Sequence, residues 1–265
     1  MPAKTKIAGG IADIVLDHPP VNAFDAAGWE KLAEIIRAAG RDQSVSVILL
    51  SAAGRGFCAG VDVKELARDS SLITRVNRGC YDTFAAIHDS VVPVVAAVHG
   101  FCLGGGIGMV GSADVIIASE DASFGLPEID RGALGAASHL LRMFPMQKVR
   151  RMMFTGEPIT AAEAYRLGAV EAVVKRDDLM PTARELVKKI AGKSGKAVRL
   201  AKESLDGIEL FDLNRSYRFE QGFTLELYTS RDSQEARDAF VEKRDASFDK
   251  AGKGEKPDSR SKPKS

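Results

Sequence analysis

Glu128 is a lone carboxylate in a loop beyond a short apolar strand, and upstream of it three consecutive glycines, Gly104 to Gly106, follow another apolar run. Glycine lets a carbonyl approach the backbone closely, so amides there can hold an oxygen as it gains negative charge. A carboxylate beside that oxygen can move a proton. The pairing points to chemistry on an activated carbonyl. A second pattern in the same stretch competes for attention: Gly106, Gly108 and Gly111 fit the spacing of a dinucleotide-binding turn. That fingerprint needs its first glycine close behind the strand and an acidic residue about 20 positions on, whereas Gly100 to Gly105 intervene and Glu120 comes after only 14. A nicotinamide site is therefore set aside.

The elements that must position these residues follow from hydrophobic periodicity. Ile11 to Asp17 and Val45 to Ser51 read as strands, with Trp29, Leu32, Ala33 and Ile36 recurring at helical spacing between them. Val91 to Val98 and Val115 to Ala118 are apolar on both faces, as buried parallel strands are. Helical stretches separate the strands, so the fold class is α/β. Thr160 to Glu163 form a capping box for a helix over about 161–167, closed by Gly168. Beyond residue 180 helices dominate, at Leu179 to Ile190, Ala197 to Leu205 and Glu235 to Arg244. The expected organisation is a core over 1–195, a C-terminal helical region over 196–250 and a disordered tail over 251–265, which lacks large apolar residues.

Composition narrows the function classes. Thirty-seven basic residues nearly balance 36 acidic ones, so no global field favours nucleic acid or an anionic membrane. No apolar run reaches the ~18 residues of a membrane span and the N-terminus lacks a signal-like apolar stretch, which makes a cytoplasmic location the expectation. Three scattered cysteines and four scattered histidines show no ligand spacing, so reduced thiols and no metal are expected.

Five segments in order, PPVNAF (19–24), RGFCAGVDVKE (55–65), HGFCLGGG (99–106), ADVIIASEDASFGLPE (113–128) and AFVEKR (239–244), resemble the crotonase superfamily of acyl-CoA enzymes, over about residues 10–248. The resemblance implies a ββα spiral core with a C-terminal helical region that forms trimers, often paired into hexamers. It implies that the backbone N–H groups of Val61 and Gly105 hold the thioester oxygen of the substrate. Coenzyme A then enters only as part of that substrate, with Lys64 and Lys243 near its phosphates, Phe240 beside its nucleotide or pantetheine arm, and Ala23 and Ala59 facing the adenine. Asp62 is either a substrate contact or the N-cap of the helix holding Lys64. Relatives that bind RNA carry a lysine-rich early helix; here residues 25–39 offer only Lys31 and Arg37.

Two departures matter. Hydratases of this superfamily use two glutamates, and the position of the first, two residues after Gly106, is Gly108 here, leaving Glu128 alone. After Glu128, the stretch from Arg131 to Met143 is short and rich in small residues, which leaves space for a bulky acyl group. His139 in that stretch is a candidate for substrate contact, and Arg131 is expected to form an ion pair within the protein, with a substrate carboxylate as the alternative partner. The wording of residues 100–140 is similar to a subgroup assigned to late steroid-ring degradation, whose members open a ring of a bicyclic acyl-CoA by adding water. The same single carboxylate also suits an enoyl-CoA isomerase. Tyr217, Phe219, Phe223, Leu225, Leu227 and Tyr228 form either a subunit contact or an internal one.

Overall fold

A computed structural model describes residues 1–209 and 212–247. Its strands are β1 (Ala3–Ala8), β2 (Ile11–Leu16), β3 (Ala23–Phe24), β4 (Val47–Ala52), β5 (Gly60–Val61), β6 (Val94–Val98), β7 (Phe101–Leu103), β8 (Val115–Ser119), β9 (Ser123–Gly125), β10 (Ile159–Thr160) and β11 (Ala172–Val174). Its helices are α1 (Ala26–Arg41), α2 (Val63–Arg68), α3 (Ile73–His88), α4 (Gly105–Ser112), α5 (Ala137–Met143), α6 (Met146–Thr155), α7 (Ala161–Arg166), α8 (Leu179–Ala191), α9 (Gly195–Ile208), α10 (Leu213–Tyr228) and α11 (Arg231–Glu242).

Six strands form the main sheet in the order β1-β2-β4-β6-β8-β11. The inner strands β4 and β6 are buried along almost their whole length, which is why they lack polar alternation. All neighbours from β2 onward run parallel, in registers such as Ile11 with Val47 and Val95 with Val115. Only β1 is antiparallel, forming a hairpin with β2 through Gly9 and Gly10. Its burial pattern is one buried residue followed by five exposed ones, so it carries no apolar alternation that sequence reading could detect. Two smaller sheets, β10-β9-β7 and β3-β5, lie beside the site.

Half of the capping box forms: the Thr160 hydroxyl accepts from the Glu163 N–H at 3.2 Å, while the Glu163 carboxylate turns to Lys148 instead of the Thr160 N–H; α7 follows, and Gly168 takes a left-handed φ of +81°. The C-terminal helices are not an appendage to the core. Helix α10 is stitched to it by Gln221, which donates to the Asn77 carbonyl at 2.6 Å, and by Thr224, which donates to the Leu134 carbonyl at 2.6 Å. Glu220 accepts from the N–H groups of Ala137 and Ser138, at 2.6 and 3.0 Å, and so fixes the start of α5. The lysine-rich end of the chain, 251–265, lies outside the described residues.

Candidate active site

The site begins with two loops held together by one side chain. Asn22 donates from its amide to the carbonyls of Ala53, Gly56 and Phe57, at 3.0, 3.2 and 3.1 Å, while its own oxygen accepts from the His18 N–H at 2.7 Å. This secures the segment leading into β5, which pairs in parallel with β3 through Ala23 with Gly60 and Phe24 with Val61. Gly60, at φ +92°, then passes so close to the start of α4 that an added Cβ would stand 3.1 Å from the Gly105 nitrogen. Val61 and Gly105 thus line one cavity together. The Gly105 amide lies in the first turn of a helix, where no intrahelical acceptor exists for it.

Glu128 sits in a 3₁₀ turn, Pro127–Arg131, and its carboxylate lies against Gly104 where a side chain on that glycine would stand. Gly104 has φ +57°, a conformation glycine adopts without steric cost. Oxygen Oε2 of Glu128 is buried and has no hydrogen-bond partner. Burial pushes the carboxyl up to about 7, against the opposing pull of its own backbone N–H and of Arg131. A carboxyl titrating near neutrality can both accept and return a proton.

The cavity in front of Glu128 has a volume of about 70 Å³ and is walled mainly by apolar groups. One wall is a stripe of α3, including Val76, Cys80 and Phe84; another is the segment from Ala133 to Ala136; a third is Tyr217, Thr224 and Tyr228 of α10. Small residues after Arg131 do border this cavity. Helix α10 divides by face: Tyr217 and Tyr228 turn inward, whereas Phe219 and Phe223 are exposed and stack edge to face at 5.2 Å. Residues at positions 217, 224 and 228 share one helical face, a spacing that the sequence does display.

Gly108 lies one helical turn beyond Gly104. A Cβ there would overlap the ring of Phe84, which occupies the space a side chain at this position would need. Phe84 is held edge-on to Trp29 and His139, with ring centroids at 5.7 and 4.9 Å, and tilted against Tyr217 at 5.3 Å. His139 does not reach the cavity. It is 1% exposed, wedged between Phe84 and Tyr217, with both ring nitrogens unpartnered, and burial pushes its pKa down to about 3. A neutral histidine behind an aromatic plug is packing. The remaining glycines of the apparent dinucleotide pattern serve packing too: Gly106 abuts Cys58 and Gly111 abuts His139, both within α4.

A cleft continues from the cavity through Ala59, Val61, Val63 and Arg131, which border both. Ala23, Asp62, Lys64 and Phe240 line it. Asp62 caps α2 by accepting from the Lys64 N–H at 2.9 Å while also facing the cleft, so its two expected roles share one position. Lys243 is not brought there: it is the left-handed residue, φ +56°, that ends α11. Arg131 also departs from expectation. Among the described residues it has no ion pair, and its guanidinium instead lies over the Phe240 ring at 4.6 Å.

All three cysteines are free and buried. Away from the cavity, His88, Asp206 and Glu209 approach one another closely enough to hold a cation, a grouping with no signature in linear spacing. Each already has a partner, Asp89, Lys202 and Arg142 respectively. No helix of the described residues is long and apolar enough to cross a membrane.

Residues 6–251 match the enoyl-CoA hydratase/isomerase family, and the chain belongs to it. Within that family it is similar to the (7aS)-7a-methyl-1,5-dioxo-2,3,5,6,7,7a-hexahydro-1H-indene-carboxyl-CoA hydrolase of Rhodococcus jostii strain RHA1, at 51% identity over 88% of this chain and 91% of the relative. The Mycobacterium tuberculosis protein of the same description is 48% identical over 88% and 96%. A carnitinyl-CoA dehydratase from Proteus mirabilis is 34% identical over 89% and 94%. The fold likewise matches a crystal structure of an enoyl-CoA hydratase from Mycobacterium avium subsp. paratuberculosis, with a TM-score of 0.84 at 23% identity, covering 94% of this chain and 99% of that one.

Proposed function

We propose that this enzyme opens a ring of a bulky bicyclic acyl-CoA by adding water across a carbon–carbon bond, with Glu128 as its acid–base group. The observation that carries this reading is the lining of the cavity: among the described residues lining it Glu128 is the one carboxylate, and Phe84 fills the space beside Gly108. Support comes from the two hydrolases at 51% and 48% identity, whose named substrates are bicyclic diketone thioesters.

In this mechanism ionised Glu128 takes a proton from water, and the hydroxide adds to a ring ketone. The bond from that carbon to its neighbour breaks, and its electrons flow into the thioester carbonyl. The N–H groups of Val61 and Gly105 hold the resulting oxyanion, each worth roughly 3–4 kcal/mol of transition-state stabilisation. Glu128 returns its proton to carbon. The cleft lined by Ala23, Ala59, Asp62, Lys64 and Phe240 takes the coenzyme A moiety. Coenzyme A is thus part of the substrate, and the reaction is soluble, cytoplasmic chemistry. The exposed pair Phe219 and Phe223 on α10 is the surface through which we assign a homotrimer, or a hexamer of paired trimers.

Mass spectrometry of a bicyclic keto-acyl-CoA incubated with the enzyme tests the reading. The expected product carries one added water and a new carboxylate. Rapid hydration of a short 2-enoyl-CoA without ring opening would make the protein a hydratase, and migration of a 3-enoyl double bond would make it an isomerase.

A further inference from the structure

Arg131 stands three residues after Glu128 in the same 3₁₀ turn and borders both the acyl cavity and the cleft. Its charge reaches the Glu128 carboxyl, pulling against the effect of burial. Among the described residues it has no anion, only the face of Phe240 at 4.6 Å. A guanidinium offers a planar fork of donors matched to a carboxylate, and the walls around this one are mainly apolar.

Hydrolytic ring opening makes such an anion. Water loses one proton to Glu128, and its oxygen bonds to the ketone carbon. The carbon–carbon bond breaks with its electron pair passing to the thioester enolate, which regains the proton at carbon. The former ketone carbon is then a carboxylic acid, and it loses its remaining acidic proton to solvent. A neutral acyl group has become an anion inside an apolar cavity. We propose that Arg131 is the anion-binding residue of the acyl cavity and receives the carboxylate formed when the ring opens, a role that rests on the ring-opening reading.

The competing use for Arg131 is a phosphate of coenzyme A. Lys64, exposed in the cleft and likewise without an ion pair among the described residues, serves that role and provides the control. Two CoA esters separate the cases: pimeloyl-CoA ends in a carboxylate, and heptanoyl-CoA, of equal chain length, does not. Calorimetric titrations at pH 6, where Glu128 is mostly neutral, should show the wild type preferring pimeloyl-CoA by about tenfold. Arg131→Gln should abolish that preference while changing heptanoyl-CoA affinity by less than about threefold. Arg131→Met, which keeps an apolar stem against Phe240, should behave alike, and Arg131→Lys should retain the preference. Lys64→Gln should weaken both ligands equally. No preference in the wild type, or equal weakening of both esters by Arg131→Gln and Arg131→Met, would overturn the proposal. These titrations involve no turnover, so their failure is distinct from a failure to open the ring.

Discussion

Gly104 and Gly108 stand one helical turn apart at the start of α4, and each leaves room for a different neighbour. At Gly104 the missing side chain admits the carboxylate of Glu128; at Gly108 it admits the ring of Phe84. The cavity lining therefore presents an unpartnered acid beside Gly104, and at its Phe84 wall it presents hydrocarbon backed by Trp29, His139 and Tyr217. The same residue type, read without its neighbours, says nothing of this division. The difference teaches that the same small residue can seat an acid or exclude one, and it supports the proposed reaction, in which a single group takes a proton and gives it back.

The comparison breaks most completely at its acidic wall. Glu128→Gln should lower the ring-opening kcat by about 10³-fold with little change in CoA-ester affinity, measured by steady-state kinetics alongside calorimetry. In the wild type, kcat/KM should rise along a limb centred near pH 7 as Glu128 ionises; a flat profile from pH 5 to 9 would remove it as the base. Gly104→Ala should displace that carboxylate and reduce kcat by about 10²-fold while the protein still folds, since misplacement by an ångström has that scale of effect.

On the apolar wall the effects turn from rate to stability. Gly108→Glu should cost at least about 3 kcal/mol in urea unfolding, through overlap with Phe84 and burial of a charge. Pairing it with Phe84→Ala should recover part of that loss, and equal costs in both backgrounds would show that the ring is not the obstacle. The acidic wall has a smaller stability signature of its own. Because Glu128 binds its proton more tightly in the folded chain than in the unfolded one, its contribution is complete below about pH 4.5 and is lost as pH rises through about 7. Glu128→Gln should therefore be more stable than the wild type at pH 8, by at most about 3 kcal/mol, with the gap closing in acid. The smallest change belongs to the plug: His139→Leu should leave kcat/KM within about threefold and stability no lower, because it replaces an unpartnered buried imidazole with an apolar group.

The residues legible from sequence are those whose signal is local. Glu128, the glycines before α4 and the parallel apolar strands announce themselves within a few positions, and so does the Thr160 capping box. Phe84 does not, because its meaning lies in a contact with Gly108 across two intervening strands. His139 looks reactive as a letter and is inert once Phe84 and Tyr217 enclose it. Arg131 reads as half of an ion pair until the fold leaves it without an acid. The inward face of α10 is written in the helical spacing of Tyr217, Thr224 and Tyr228, but the fold alone shows that this face and not that of Phe219 and Phe223 is buried. Asn77, whose amide nitrogen is buried without a partner at the cavity, carries no sequence signal at all.

The fit of Phe84 against Gly108 also constrains how this chain can change over generations. A lineage gaining a glutamate at Gly108 first meets the ring, and one that first trims Phe84 opens a void in a fully buried aromatic cluster. Loss of a buried phenylalanine side chain costs roughly 3–5 kcal/mol, a large share of the ~5–15 kcal/mol that keeps a domain folded. Either order passes through a weakened intermediate. The Phe84–Gly108 contact is thus bounded by a valley two substitutions wide, and drift by single steps tends to preserve it.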